Sequence, residues 1–494
     1  MIPRTRAMSM PALSPAPQLT ADERPLPLHT KLLYGVGEMP ITVLMVLSGL
    51  FMLFFYNSVM GLPAGLVGLG LASSLVVDAL LDPFIGHISD RTRHGWGRRH
   101  VFMLPGALIV GPAFYLLFSP PRHLGHAGLF VWLLACAMVL RAASAVYRIP
   151  YLSLGAELSR DYDDRTKTMA IRTLFGLLGT LGASALSFLV FFPATADGSE
   201  PKLHYAGYPR MGLAFGALMT ISGLIGAFGT LNHRTSGSGK GSGGPHFFSG
   251  FRIALQNPAF RSIWCSTTIF FLAVVLNFSM AIHYFTWYAQ ISRSEILSLI
   301  QTCFYSGALL GVVMWMTLAR RAEKRTLYIM AAVASAVLLF MATFLVGSGR
   351  PLGTGHPVPL IIGHVVGGIF ASAVWVVPAS MIADVTDTDQ LATGLRREGI
   401  YFGIMNFGEK IAAGGALLFA GGLLGIFRRF SHNGSFGTPG HPPAAIPYVG
   451  FLYGAVPAAL LTVAVVLILP YGLNRRTVHD LQIRLAAGRG DTNG

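Results

Sequence analysis

Charged residues are scarce in this 494-residue chain: Asp, Glu, Lys and Arg together make up only 12% of it, against roughly 25% in soluble domains. That shortage excludes a water-soluble enzyme and a charged, disordered tail protein, since neither is built on 53% apolar residues and a mean hydropathy of +0.58. Cysteine is nearly absent. Cys136, Cys265 and Cys303 all fall in apolar stretches without CxxC spacing, which excludes a disulfide scaffold and leaves each as a small buried hydrophobe. The 15 His are scattered and form no HExxH pattern, so no metal centre is expected. No Walker sequence and no GxSxG occurs, so neither ATP-driven pumping nor an enzymatic role is expected, and no organic cofactor is implied. Acidic residues are the rarer sign, 21 against 36 basic, for a formal net charge of +15. In a soluble protein that excess suggests a nucleic-acid partner. Its distribution here points elsewhere.

Long apolar runs are what the chain has in abundance. A bilayer-crossing helix needs ~20 mainly apolar residues, and twelve stretches qualify, near 32–57, 62–89, 101–119, 127–152, 172–193, 210–231, 260–289, 295–318, 326–346, 358–383, 400–427 and 446–471. The predicted fold class is an all-α membrane protein of twelve transmembrane helices. The first 31 residues contain no apolar core of a signal peptide, so an uncleaved first span is expected. Of the 36 Lys and Arg, 26 fall in the N-terminal arm, the even-numbered connections and the C-terminal tail, seven fall on the opposite side, and Arg141, Arg148 and Lys410 lie inside spans. This asymmetry predicts both termini in the cytoplasm and makes the bilayer, not a nucleic acid, the partner that the charge reports. The Gly/Ser-rich run from Arg234 to Pro245 has the composition of a flexible coil. It divides the chain into an arm (1–31), a six-helix bundle (32–233), a linker (234–250), a second six-helix bundle (251–472) and a tail (473–494). A weak echo between Gly86–Arg99 and Gly311–Arg325 suggests two repeated halves, the organisation of a rocking transporter.

Ionisable side chains at membrane depth are costly, so each is a functional candidate. Asp78 and Asp82 in VVDALLDPFIG are spaced i, i+4 and share one helix face. They suit a Na⁺ ion or a shared proton, or else a structural salt bridge. Lys410 in span eleven is their natural partner, and Glu409 beside it points to another face. Arg148 and Arg172 are candidates to grip an anionic or hydroxylated solute; for Arg141 and Arg148 an ion pair with Asp78 or Asp82 is an equal alternative. Glu38 in span one is a further cavity candidate. The run Asp90-Arg91-Thr92-Arg93…Gly97-Arg98-Arg99 reads as a gating latch, with Glu157, Asp161 and Arg165 as its facing part.

These residues resemble the glycoside–pentoside–hexuronide:cation symporter family of the major facilitator superfamily, of which melibiose permease is the familiar type. Three motifs carry the likeness: DALLDPFIGHISDRTRHGWGRR (Asp78–Arg99), IPYLSLGAELSRDYDDRT (Ile149–Thr166) and ADVTDTDQLATGLRREGIYFG…EK (Ala383–Lys410). The resemblance implies two pseudo-symmetric halves of the major facilitator fold, a cation site at Asp78 and Asp82, sugar contact by Arg172, a charge-organising Lys410 and a sugar path lined by Trp375. It also exposes departures. Thr42 and Arg148 stand where the melibiose carrier has aspartates, and Leu152 stands where it has a tryptophan. Galactosides are therefore not the expected solute, and Na⁺ coupling is expected to be weakened or replaced by H⁺. The expectation is a monomeric secondary transporter of the bacterial inner membrane, moving a small glycoside-like or uronate-like solute with H⁺ or Na⁺. A carrier of lysolipid or another amphiphile, and a non-transporting sensor, are the alternatives.

Overall fold

The computed structural model describes residues 26–158, 162–193, 200–233, 247–291, 293–393, 397–430, 446–478 and 480. Most of the linker and tail, the start of the arm, and Asp161 of the predicted latch lie outside them. Where no water can satisfy backbone groups, the helix satisfies them internally. Accordingly, among the described residues twelve helices are long and apolar enough to cross a membrane. In chain order the spans are Leu28–Val59, Ala64–Arg91, His100–Leu117, His126–Gly155, Asp164–Phe191 and Gly207–Gly229, followed by Pro258–Tyr288, Ser294–Leu318, Lys324–Leu345, Pro357–Leu391, Glu398–Ile426 and Ile446–Ile468.

Three departures from the expected boundaries bear on the site. Span five does not begin at 172: its helix runs Tyr162–Phe191, so Arg172 lies inside it rather than in a connection. The polar first turn is held by Asp164, which accepts from the Lys31 ammonium and from the Leu26 backbone N–H. Span one is two helices, Leu28–Val36 and Met39–Phe54. The break at Gly37–Glu38 precedes Pro40, whose ring cannot continue the first helix's ladder. Span ten is likewise divided at Ser372, between Pro357–Ala371 and Ala373–Thr393.

Spans one to six pack on one another, as do seven to twelve. The two sets meet through three main pairs, spans two with eleven, five with eight and one with seven. Advancing every span number by six exchanges the first two pairs and returns the third to itself, as a twofold pseudo-symmetry requires. Spans one and seven also end alike, in a wide π turn at Phe55–Val59 and at Tyr284–Tyr288.

The two ends of the molecule differ. At the end remote from the chain termini, the halves touch closely. Ser58 meets His283 at 3.3 Å, and Lys202 donates to the Ile291 carbonyl at 3.1 Å. A Cβ added at Gly68 of span two would lie 2.5 Å from the Leu417 carbonyl of span eleven. At the end that carries the termini, the ion pairs staple each half to itself. Arg99, at the start of span three, pairs with Glu157, just past span four, at 2.7 Å; Lys324, at the start of span nine, pairs with Asp384 of span ten at 2.6 Å. These pairs occupy equivalent places in the two halves, and Arg99 and Lys324 fall in the two segments that echo one another in sequence.

Candidate functional site

Two clusters of charged residues lie along the spans of the first half and its contact with the second. The first is built on span two. One helical turn separates Asp78 from Asp82, so both carboxylates face the same neighbours, spans four and eleven. The Arg148 guanidinium, from span four, donates to both oxygens of Asp82 at 2.8 Å and lies 3.8 Å from Asp78. Lys410, from span eleven, reaches Asp82 at 2.5 Å and Asp78 at 2.8 Å, and donates to the Asp78 backbone carbonyl at 3.1 Å. Asp78 is buried, and Arg148 and Lys410 are largely withdrawn from solvent, with side chains 22% and 14% exposed. Arg141, two turns before Arg148 on span four, lies within electrostatic reach of Asp78. Buried charges persist only when paired, and this pairing crosses from one half of the molecule to the other.

The second cluster sits in the first half alone. Glu38, at the break in span one, lies 3.5 Å from the Arg172 guanidinium of span five, and Glu38 Oε2 and Arg172 Nε carry no hydrogen bond. A stack of tyrosines walls it. Tyr34 and Tyr151 pack ring on ring at 4.7 Å, and Tyr151 and Tyr147 at 5.5 Å. Their hydroxyls hold backbone at the break: Tyr147 donates to the Gly37 carbonyl at 2.7 Å and Tyr151 to the Tyr34 carbonyl at 2.9 Å. Arg148 lies within electrostatic range of Glu38, so the clusters are neighbours.

Of the residues singled out from sequence, Asp78, Asp82, Lys410 and Arg148 come together, and Arg148 takes the ion-pair alternative. Arg172 belongs with Glu38 instead. Thr42 lies beside the second cluster, but its hydroxyl turns back to its own helix, toward the Met39 carbonyl at 3.3 Å, against Gly179 of span five. Trp375 sits one turn past the break in span ten and is 42% exposed.

Within the expected latch, Arg98 meets Glu157 at 2.8 Å and Asp90 meets Arg99 at 2.7 Å, whereas Arg91 and Arg165 are exposed. The centre of that group is Arg99, whose side chain is 6% exposed and also donates to Ser89 at 3.0 Å. Sequence reasoning placed Arg99 in the run but did not single it out, because Arg98 and Arg99 are chemically identical neighbours. All of these contacts join helix ends within one half.

A sequence profile of the family described as MFS/sugar transport protein matches residues 33–475. An uncharacterized symporter of Synechocystis is 25% identical, over 93% of this chain and 96% of that protein. The sphingosine-1-phosphate transporter MFSD2B of Mus musculus is 24% identical, over 89% of this chain and 88% of its own. Among solved structures, a bacterial homologue of the human lysosomal transporter Spinster superposes with a TM-score of 0.60 at 14% identity, over 89% of this chain and 93% of that one; at that identity the likeness is one of fold.

Proposed function

The chain belongs to the MFS/sugar transport protein family, as a member like the glycoside–pentoside–hexuronide:cation symporters, and from that premise we propose that it carries a small polar solute by alternating access, coupled to H⁺ or Na⁺. The observation that carries this reading is the Asp78–Asp82–Arg148–Lys410 cluster, which ties the two halves at mid-span. A charge network between rocking halves responds to any ligand that changes its balance, and so links ion occupancy to which end is open.

The basic excess assigns the termini-bearing face to the cytoplasm, so the conformation is one closed toward the outside. The carrier acts as a monomer in a plasma membrane, the inner membrane of a bacterium. Arg172 and Glu38 pair with one another at 3.5 Å, with neither Glu38 Oε2 nor Arg172 Nε hydrogen-bonded, and are the groups that would take solute hydroxyls or a solute carboxylate, with Trp375 and Thr42 beside the path. The paired Asp90, Arg98, Arg99 and Glu157 brace the first half as it moves.

A second reading, a carrier of amphiphiles, draws on a separate feature. A largely apolar cavity of about 430 Å³ lies among spans seven to ten and twelve, lined by Asn277, Phe278, Gln301, Phe304, Leu339 and His364 among others. It is of the size that small-molecule sites have, and the likeness to a sphingosine-1-phosphate transporter points the same way.

The test is thermal unfolding of the purified protein against sugars, uronates and lysolipids, since a ligand that binds the folded state raises its midpoint. Any hit is then followed by uptake into proteoliposomes. A sugar or uronate that stabilises the protein, and whose uptake is lost in Asp82→Asn, supports the first reading. A lysolipid hit lost on filling the cavity with Ala342→Phe supports the second. Uptake of none of these solutes would sink both.

A further inference from the structure

We propose that the apolar cavity of the second half is a lipid site: it holds one acyl chain of an outer-leaflet glycerophospholipid, with the ester carbonyl against Gln301. The inference goes beyond both readings of function, because the bilayer supplies this occupant whichever solute is carried.

The cavity is a slot set along the membrane normal. Its lining on span ten runs from Val358 to Ala371, a stretch about 20 Å long at ~1.5 Å per residue. One leaflet contributes about half of the ~30 Å hydrocarbon core, so the slot is roughly one leaflet deep. Leu352, in the connection between spans nine and ten at the outer face, lines one end. Val358 and Ile362, one turn apart on span ten, and Met341 of span nine line the slot and are also exposed on the surface. The slot is therefore open toward the bilayer between spans nine and ten.

Glycine keeps it empty of protein. Gly363 and Gly367, one turn apart on span ten, line the slot, and a Cβ added at either would meet nothing within 4 Å. Gly368 is the opposite case, since a Cβ there would collide with the Phe304 carbonyl of span eight. Gly368 lets two helices touch. Gly363 and Gly367 leave room that no neighbouring side chain takes.

The polar groups narrow the class of occupant. Asn277 donates to the Tyr453 carbonyl at 2.8 Å; His364 donates from Nδ1 to the Leu360 carbonyl at 2.7 Å, and its Nε2 meets the Tyr453 hydroxyl at 3.2 Å. Two lining residues are left over. Gln301 and Ser335 are both buried, and neither Gln301 Nε2 nor Ser335 Oγ has a hydrogen-bond partner. A helical serine can turn to a carbonyl of its own preceding turn, whereas the glutamine nitrogen is a donor that still needs an acceptor. Left unpaired among apolar walls it is costly. Gln301 lies about 10 Å from the outer end of span eight at ~1.5 Å per residue, in the upper part of the leaflet, and an ester carbonyl is the acceptor that a lipid chain brings in with it. Arg350, in the same connection as Leu352, is exposed, with its guanidinium 5.6 Å over the Phe344 ring. It places a positive charge at that end for the lipid phosphate. Every lining residue belongs to the second half, so rocking of the halves neither opens nor closes the slot. The chain that fills it completes the packing between spans nine and ten, so that this half moves as one body.

The test uses the full-length protein in vesicles of phosphatidylethanolamine and phosphatidylglycerol, doped with a phosphatidylglycerol that carries a photoactivatable diazirine in one chain. Labelled peptides are identified by mass spectrometry. Label should concentrate on the slot-lining segments 335–342 and 358–371. Gly367→Leu fills the slot without a clash and replaces a poor helix former with a good one, and it should cut that labelling several-fold; Gly363→Leu is a second filling variant. Gln301→Leu and Arg350→Gln should each cut it several-fold by removing the carbonyl and phosphate contacts. Label spread evenly over the lipid-facing helices, or unchanged in both filling variants, overturns the proposal. Full labelling in Gln301→Leu or in Arg350→Gln overturns the placing of the carbonyl or of the phosphate. A lysolipid with the same diazirine is the second arm: label from it, with none from the diacyl lipid, would overturn the resident lipid and give the slot to a carried amphiphile. No arm measures uptake, so a chain that moved no solute would fail the transport reading and leave these outcomes untouched.

Discussion

Lys202, in the connection between spans five and six, donates to the carbonyl of Ile291, in the turn between spans seven and eight, at 3.1 Å. The contact joins the two halves at the end remote from the termini. The Lys202 side chain is fully buried, Glu200 pairs with it at 2.7 Å, and the Tyr208 hydroxyl anchors its backbone carbonyl at 2.7 Å. It is a closure contact made by a residue that carries charge.

Burial pushes the Lys202 ammonium below the usual lysine range, while Glu200 pulls it back up. Opening that end exposes Lys202, and its affinity for a proton returns toward the ordinary value of 10.5. The closed end thus binds fewer protons between the two values, so raising the pH through that window favours closure. With the native cysteines replaced and a thiol placed at Ser298, which is buried where spans five and eight meet, alkylation of this Ser298→Cys reporter, corrected for thiolate fraction, should slow as pH rises there. Lys202→Met should flatten the profile and raise the rate throughout. A slope that survives Lys202→Met would assign it to another group.

Lys410→Ala should be more harmful alone than in company. Removing one partner of a buried ion pair leaves an uncompensated charge, at a cost of about 3–5 kcal/mol. Arg148 remains here to hold Asp82, so the lower end of that range is expected. Lys410→Ala with Asp78→Asn should recover much of the loss. Thermal unfolding of the four members of the cycle measures the coupling, and strict additivity would mean that the two residues do not share a cluster.

Gly68 lets spans two and eleven approach: a Cβ there would lie 2.5 Å from the Leu417 carbonyl and 3.2 Å from the Gly421 Cα. Both obstacles are backbone and cannot swing aside. Gly68→Val should therefore part the halves at that end without disturbing either half alone. The Ser298→Cys reporter should alkylate several-fold faster, while the yield of folded protein stays near wild type.

Glu157→Gln removes the carboxylate that both Arg98 and Arg99 use. Charge-assisted hydrogen bonds contribute about 1.5–3 kcal/mol each, and the buried Arg99 keeps only Asp90 and Ser89 in place of Glu157. Asp384→Asn should produce a loss of similar size in the second half, where Lys324 is the partner. Limited proteolysis should place the first lesion in spans one to six and the second in spans seven to twelve. Loosening of the wrong half in either variant would contradict the staple assignment.

Much of the fold was legible because the membrane imposes a one-dimensional rule: about twenty apolar residues per crossing, with charge tolerated only for cause. The same rule made Asp78, Asp82, Arg148 and Lys410 conspicuous. Their grouping was only half legible. The i, i+4 spacing showed that Asp78 and Asp82 share a face, but nothing in the order of residues distinguished Arg148 from Arg141 as their direct partner. The start of span five was missed because its first turn is polar, its helix being held by Asp164 against Lys31 and Leu26 rather than by apolar periodicity.

The sequence by itself determined how many times the chain crosses, which residues carry charge at depth, and that two similar halves exist. Tertiary structure alone decided which charges meet. That choice depends on the rotation of each helix about its axis and on how closely two axes approach, and both are set by contacts between residues far apart in the chain, such as Gly68 against Leu417. Arg148 and Lys410 are both cations beside the same aspartates. Only the packing shows that one reaches them from their own half and the other from the opposite half.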